Sequence, residues 1–290
     1  MADGESAVSA VLITGCSSGI GRATALRLAR RPGSVVYATA RRPADIADLE
    51  QVGCRTLALD VTDEASMASA VQTIEAAHGA VDVLVNNAGY SQSGAVEAVP
   101  LDRVRAQFET NVFGPLRLTQ LVLPAMRRRR RGTVVNLSSM GGKLVFPGGG
   151  VYHATKYAIE ALSDALRFEV AGFGIRVVIV EPGLIRTAFS DAALGAMRGA
   201  DDAVYGEFHA AVGRTTANAY SQGLSRKLSG TPDDVARVIE RAIAARRPKT
   251  RYRVAPSATL FLNLRRVLGD RGWDRFLRGV YPSPGANRTD

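Results

Sequence analysis

Val11-Leu12-Ile13-Thr14 runs straight into Gly15-Cys16-Ser17-Ser18-Gly19-Ile20-Gly21, and the stretch onward to Arg30 carries apolar residues at helical spacing. A short apolar strand, a turn with three glycines and an amphipathic helix in immediate succession decide the fold. Glycines at 15, 19 and 21 let the chain turn tightly, let the backbone approach a pyrophosphate and let the helix pack closely on the strand. The open N–H groups and positive dipole end of such a helix face the phosphates. A glycine turn by itself is also compatible with a purely structural bend; the strand-turn-helix setting is what points to a dinucleotide.

Working outward, near-continuous apolar runs recur at 11–14, 34–39 (SVVYAT), 55–61 (RTLALDV), 81–87 (VDVLVNN), 133–138 (TVVNLS) and 175–180 (IRVVIV). Strands buried on both faces read this way. Helical patterns fill the gaps, at 21–30, 63–78, 101–126 and 155–172. The expectation is α/β, a Rossmann-type doubly wound parallel sheet in one domain over 8–255, with right-handed crossovers covering both faces. Beyond Pro182-Gly183 the rhythm breaks into an alanine- and glycine-rich stretch, read as a small mobile substrate lobe over 184–230. Thr231, with Pro232, Asp233 and Asp234, is a helix start, and TRYRVA at 250–255 supplies a last strand. Residues 256–290 form an amphipathic helical tail, with Leu260, Phe261, Leu264, Trp273, Phe276 and Leu277 between arginines. Packing on the body or a subunit, a lid over an apolar substrate and a peripheral membrane contact all remain open for it.

With 46% hydrophobic and 22% charged residues the 290-residue chain has the balance of a soluble globular protein. No segment approaches the roughly 18 apolar residues of a membrane helix, and the first residues form no basic apolar leader, so a cytoplasmic location is expected. Two cysteines and three scattered histidines make neither a disulfide framework nor a metal cage. The net charge of +10 raises the question of nucleic acid. Its densest piece, Arg127 to Arg131, falls between a helix and a strand, where cations suit a helix C-terminus in solvent. No nucleic-acid partner is expected; steeply salt-dependent binding to unrelated duplexes is the sign that would reinstate one.

A carboxylate at the end of the second strand accepts the ribose hydroxyls of NAD and repels a 2′-phosphate. Here that end reads Tyr37-Ala38-Thr39-Ala40-Arg41-Arg42, with no acid and two guanidiniums. NADP(H) is favoured over NAD(H). Further on, Tyr152 and Lys156 lie four residues apart on one helical face, so they can serve one site. A neighbouring cation favours the phenolate, which suits Tyr152 as a general acid for reduction or base for oxidation. Ser139 follows the carboxyl end of the preceding strand, where ligands of open α/β sheets bind, and its hydroxyl can hold the reacting oxygen.

With these residues assembled, the chain resembles the short-chain dehydrogenase/reductase family over Val8 to Ala255. TGCSSGIG at 14–21 resembles the family's TGxxxGxG turn, Asn86-Asn87-Ala88-Gly89 its NNAG element, Tyr152 to Lys156 its YxxxK, and Pro182-Gly183 with Thr187 its PG element and threonine. The resemblance implies Tyr152 as acid/base, Lys156 as its pKa depressor and a ribose ligand, Ser139 (with Ser138 as fallback) as anchor of the substrate oxygen, and Asn111 as holder of a proton-relay water. It implies cofactor contacts from Gly15, Ser17, Ser18, Gly19, Ile20, Gly21, Arg41, Arg42, Asp60, Val61, Asn87, Ala88, Gly89, Tyr152, Lys156, Pro182, Gly183, Ile185 and Thr187. His153 and Thr155 depart from the family's usual residues. The ATARRP segment, Cys16 and the tail look most similar to the branch of 17-beta-hydroxysteroid and retinol dehydrogenases. A homodimer or homotetramer through helices 101–126 and 152–171 is the family's habit.

The expected activity is reversible hydride transfer, without metal, between nicotinamide and a carbonyl or alcohol on a lipophilic, steroid- or retinoid-like substrate. A 3-oxoacyl or polyketide-type ketone is the alternative substrate. A non-catalytic NADP(H) redox sensor is the alternative of another class, and intact Tyr152, Lys156, Ser139 and Asn111 argue against it.

Overall fold

Alternation along β1 (Ser9–Ile13) sends Val11 and Ile13 to one face and Ala10 and Leu12 to the other, and all four are buried. A strand covered on both sides belongs inside a parallel sheet. The computed structural model, which describes residues 9–187, 204–221 and 223–284, places it there. With β2 (Ser34–Ala40), β3 (Arg55–Ala58), β4 (Val83–Asn86), β5 (Gly132–Leu137), β6 (Ile175–Pro182) and β7 (Arg251–Val254) it forms an all-parallel sheet in the order β3-β2-β1-β4-β5-β6-β7. Strand order reverses between β1 and β4, which opens a crevice at their carboxyl ends where such sheets bind ligands. Several strands are shorter than the apolar runs suggest. β3 stops at Ala58, because Leu59 to Val61 already lead into the turn where the Asp60 carboxylate accepts the Thr62 N–H.

Helices cover both faces. α1 (Gly19–Ala29) lies on one face with α8 (Pro232–Ala244) and a 3-10 segment, Pro43–Val52, that the periodicity does not reveal; Ala25, Leu28, Ile46, Leu49, Val235 and Ile239 fill that layer. On the other face α2 (Glu64–His78), α4 (Gly114–Arg129) and α5 (Gly150–Ala171) bring Val71, Ile74, Leu118, Val122, Met126 and Val170. Each fully buried side chain of this size is worth about 1.5–3 kcal/mol. α8 begins as its sequence suggests: Thr231 Oγ1 accepts the Asp234 N–H at 3.2 Å and Asp234 Oδ2 accepts the Thr231 N–H at 2.8 Å.

The helix expected over 101–126 is not continuous. α3 (Leu101–Phe108) passes through a π turn, Glu109–Phe113, before α4. Such turns interrupt the regular hydrogen-bond ladder and recur at functional sites. Here the turn buries Asn111, whose amide bonds the Tyr90 backbone. The lobe over 184–230 is not free of secondary structure either, since α6 (Gly206–Ser221) and α7 (Gly223–Leu228) lie within it; residues 188–203 of that lobe lie outside the described residues.

Arg127 to Arg131 sit at the amino edge of the sheet, at a helix C-terminus as read, yet most of them have structural partners. Buried Asp82 accepts Arg131 Nη2 at 3.0 Å on Oδ1 and the Ala10 N–H at 3.0 Å on Oδ2, with Arg129 Nη1 at 3.6 Å. Arg130 donates to the Gly172 carbonyl at 2.8 Å, and Arg127 lies 6.0 Å over the Phe173 ring. These side chains join α4, β4 and the end of α5.

The tail is α9 (Pro256–Val280), bent at Gly269, whose φ of 60° leaves the helical range. Leu262 and Trp273 are buried against Met140 and Leu144, and the indole N–H donates to the Val145 carbonyl at 3.2 Å. These contacts hold the tail on the body beside the segment that follows Ser139. Among the described residues no helix is long and apolar enough to cross a membrane.

Candidate active site

The glycine turn sits at the crevice, and its glycines are there for space. A Cβ on Gly21 would meet the Gly15 carbonyl and come within 2.5 Å of Asn87 Nδ2, and one on Gly15 would lie 2.9 Å from Ala88 Cα. Gly15 and Gly19 also hold φ values of 71° and 56°, which L side chains avoid. Thr14 joins the turn to the end of β4: its Oγ1 accepts the N–H groups of Asn87 and Ala88, both at 3.0 Å. The Asn87 amide donates to the carbonyls of Thr14 and Gly15 at 2.9 and 3.1 Å. Ser17 and Ser18 are exposed, and Ser18 occupies the N-cap of α1 without a side-chain cap bond. The first N–H groups of α1 therefore remain open to an external anion. This cradle fits a dinucleotide pyrophosphate.

Arg41 and Arg42 project, exposed, just beyond β2. Arg42 pairs with Asp45 at 3.1 Å, while Arg41 has no ion-pair partner among the described residues. Asp60 keeps Oδ1 on Thr62 and leads into buried Val61. Gly89, exposed, stands over the Asn111 amide, 3.0 Å from where its Cβ would be. From the other side, Gly183 donates to the Val254 carbonyl at 2.9 Å, Ile185 bridges to Gly230, and the Thr187 methyl lies 3.5 Å from a Cβ built on Gly19. Ile20 packs into the core below. The chain thus brings the turn and the Pro182–Thr187 segment face to face.

The Tyr152–Lys156 helix starts earlier than the pattern suggests, at Gly150. Lys156 is buried, its Nζ donates to the Leu137 carbonyl at 2.8 Å, and it lies 5.7 Å from the centre of the Tyr152 ring. Burial lowers its pKa to about 8, partly opposed by the carboxylate of Glu160. Ser139 caps the short 3-10 turn Met140–Gly142, its Oγ accepting the Gly141 N–H at 3.0 Å, which leaves the hydroxyl proton to donate elsewhere. Ser138 is buried and its hydroxyl turns back to the Ser139 carbonyl, whereas Ser139 is only partly buried. Asn111 Nδ2 donates to the Tyr90 carbonyl at 2.9 Å and to Thr155 Oγ1 at 3.1 Å. Thr155 in turn donates to the Tyr152 carbonyl, so the family-atypical threonine links the π turn to the start of α5.

Two residues that sequence reasoning left aside hold this arrangement. One is Thr14; the other is His153. The His153 ring is buried, its Nε2 accepts the Phe146 N–H at 3.2 Å and its Nδ1 donates to the Gly141 carbonyl at 3.1 Å. It clamps both ends of the segment that follows Ser139. Burial pushes its pKa from 6.5 down to about 4. The folded state thus excludes a proton that the unfolded chain takes up between those values. Stability is full above about pH 6.5 and falls toward pH 4, by up to about 3 kcal/mol. His153→Gln should have a lower Tm at pH 7 and a shallower fall of Tm on acidification than wild type; parallel curves would remove His153 as the cause. Cys16, within the turn, is a packing residue: burial pushes its thiol up to about 12. Among the described residues no cluster could hold a metal ion.

Residues 9–196 match the short chain dehydrogenase family. The chain belongs to that family. It is similar to the 3-ketodihydrosphingosine reductase of Bacteroides thetaiotaomicron, 43% identical over 62% of this chain and 65% of that protein. The chain thus spans slightly less than two thirds of that relative. It is 33% identical to the NADPH-dependent 3-dehydrocapnine reductase of Ornithobacterium rhinotracheale, over 91% of this chain and 94% of that one. It is 37% identical to 17-beta-hydroxysteroid dehydrogenase type 1 of Homo sapiens, over 83% and 76%. A solved short-chain dehydrogenase from Streptomyces avermitilis superposes with a TM-score of 0.74 at 36% identity, covering 96% of this chain and 99% of that one. The protein is therefore an NAD(P)-dependent oxidoreductase of the short-chain dehydrogenase family.

Proposed function

We propose that this short-chain dehydrogenase is an NADP(H)-dependent carbonyl reductase and alcohol dehydrogenase for lipophilic substrates, with Tyr152 exchanging the proton. The carrying observation is the ammonium of Lys156, buried, fixed on the Leu137 carbonyl and seated 5.7 Å from the Tyr152 ring at the same rim as the glycine turn. Bound NADP(H) supplies or accepts the hydride. In reduction the Tyr152 hydroxyl gives its proton to the substrate oxygen, the Ser139 hydroxyl donates to that same oxygen, and the Lys156 charge stabilises the phenolate left behind. Asn111, in the π turn, holds the far end of the path by which Tyr152 recovers its proton. Gly15 to Gly21 seat the pyrophosphate, with Asn87, Ala88, Gly89, Asp60, Val61, Pro182, Gly183, Ile185 and Thr187 lining the rest.

NADP(H) over NAD(H) rests on Arg41 and Arg42, exposed just past the end of β2, a strand that carries no acid. Replacing both by Ala should weaken NADPH binding about tenfold or more and leave NADH within about twofold, read by calorimetric titration. Equal losses for the two nucleotides would make the arginines bystanders.

The lipophilic class is supported by the likeness to the 17-beta-hydroxysteroid dehydrogenase named above and by the partly buried apolar side chains of Phe146, Leu184 and Phe261 beyond Ser139. A steroid- or retinoid-like alcohol or ketone suits such residues. A second reading, a 3-oxoacyl or polyketide-type ketone, is favoured by the two relatives whose names carry a keto or dehydro group at position 3. A panel of ketones of both kinds, followed by NADPH consumption, decides between them; no turnover of either would sink the proposal. Exposed Phe113 on the π turn leading into α4 and Phe168 on α5 support pairing of subunits through these helices, to be checked by light scattering.

A further inference from the structure

Beside Lys156 lies a group of charges that the reaction scheme leaves unused. Glu160 sits one helical turn further along α5, on the same face, and only 3% of its side chain is exposed. Its Oε2 accepts from Lys143 at 3.1 Å and from Arg251 at 3.0 Å, while its Oε1 is buried with no hydrogen-bond partner. Gly142 marks how tightly this corner is packed: a Cβ there would lie 3.0 Å from both Glu160 Cγ and the Lys156 carbonyl oxygen. The charged groups next around are Asp164 on α5 and Glu181, 2% exposed, on β6, which Arg251 also reaches at 2.6 Å and 3.3 Å, and Arg253 on β7, 3.6 Å from Glu181. Above Lys156 stand Tyr152 and the Leu137 carbonyl.

A carboxylate buried with one oxygen unpaired is costly to fold around. A neutral side chain would fill the same space more cheaply. Its return is a negative potential at the base of the site, where burial works against a charged lysine. We infer that Glu160 is a positioning residue for the reaction: its carboxylate supplies the negative charge that holds Lys156 as an ammonium beneath Tyr152, and Lys143 and Arg251 set how much of that charge remains effective. The assignment rests on the roles proposed above for Tyr152 and Lys156. Lys143, partly exposed at the crevice side, is the partner that can be removed with least disturbance.

The chain contains only four lysines, Lys143, Lys156, Lys227 and Lys249, so isotope-labelled lysine NMR resolves Lys156 directly in the cofactor-free protein. In wild type its resonance should titrate near pH 8. In Glu160→Gln the midpoint should move down by about one pH unit. In Lys143→Met it should move up, by about half a unit, because less of the Glu160 charge is cancelled. The alkaline limb of kcat/KM for carbonyl reduction should follow in the same directions, and Glu160→Asp should restore the wild-type profile. A packing defect would lower activity at every pH and could not move the two variants oppositely. A Lys156 midpoint that stays put in both variants overturns the inference, and so does a moved midpoint with an unmoved kcat/KM profile. The Tyr152→Phe enzyme assayed alongside separates the two levels: activity retained there defeats the acid/base reading, whatever Lys156 does.

Discussion

Tyr152→Phe should lower kcat/KM for carbonyl reduction about a thousandfold and leave the NADPH dissociation constant within about twofold of wild type. The substitution deletes one oxygen from a half-buried ring and keeps the ring itself. Thr155 bonds the Tyr152 backbone carbonyl, not its side chain, so the start of α5 and the Asn111 contact behind it survive the change. The loss therefore reports proton transfer. Stopped-flow mixing with NADPH and a ketone separates the outcomes, because binding is read from nicotinamide fluorescence and chemistry from its absorbance. Activity near wild type would remove Tyr152 as the acid, and loss of NADPH binding together with activity would recast it as a cofactor anchor.

Gly21→Ala is expected to damage the protein more than any other single methyl addition to the turn. The new Cβ has the Gly15 carbonyl and the Asn87 amide in its way, and neither can yield cheaply, since Asn87 already holds Thr14 and Gly15. Overpacking of this kind costs about 1–3 kcal/mol. NADPH affinity should fall at least tenfold, because the turn must open to admit the methyl. Gly172→Ala is the matched control: nothing lies within 4 Å of its Cβ and its φ of −64° suits any residue. Its Tm should equal or slightly exceed that of wild type. Comparable losses in both variants would mean that the tight cradle around Gly21 is not what governs the effect there.

The parallel sheet was legible because strands buried on both faces announce themselves as unbroken apolar runs, and the turn was legible because glycines are needed where backbones touch. What escaped detection depends on contacts between distant segments. The π turn around Asn111 follows from a side chain that bonds Tyr90, twenty-one residues away along the chain. The 3-10 segment Pro43–Val52 has only Ile46 and Leu49 inside, too sparse a stripe to show periodicity. α6 was read as part of a mobile lobe because its composition is alanine-rich and polar, yet Phe208 and Val212 bury against Ala95. The arginine run was placed correctly at a helix end, but nothing in the sequence pairs it with Asp82. His153 stood out only as a departure from the family's usual residue; its bonds to Gly141 and Phe146 make it a clamp.

One consequence concerns how such enzymes can be recombined. Trp273, near the end of the chain, is bonded to Val145, six residues after Ser139, and Phe146 meets both Trp273 and Phe261 at ring separations of 5.7 and 5.6 Å. The loop that follows the reactive serine and the last helix are therefore one inherited module, though more than a hundred residues separate them. A hybrid that takes residues 139–153 from one parent and α9 from another would set two unmatched surfaces together directly behind the serine. Crossovers that exchange the two segments together keep the seam intact.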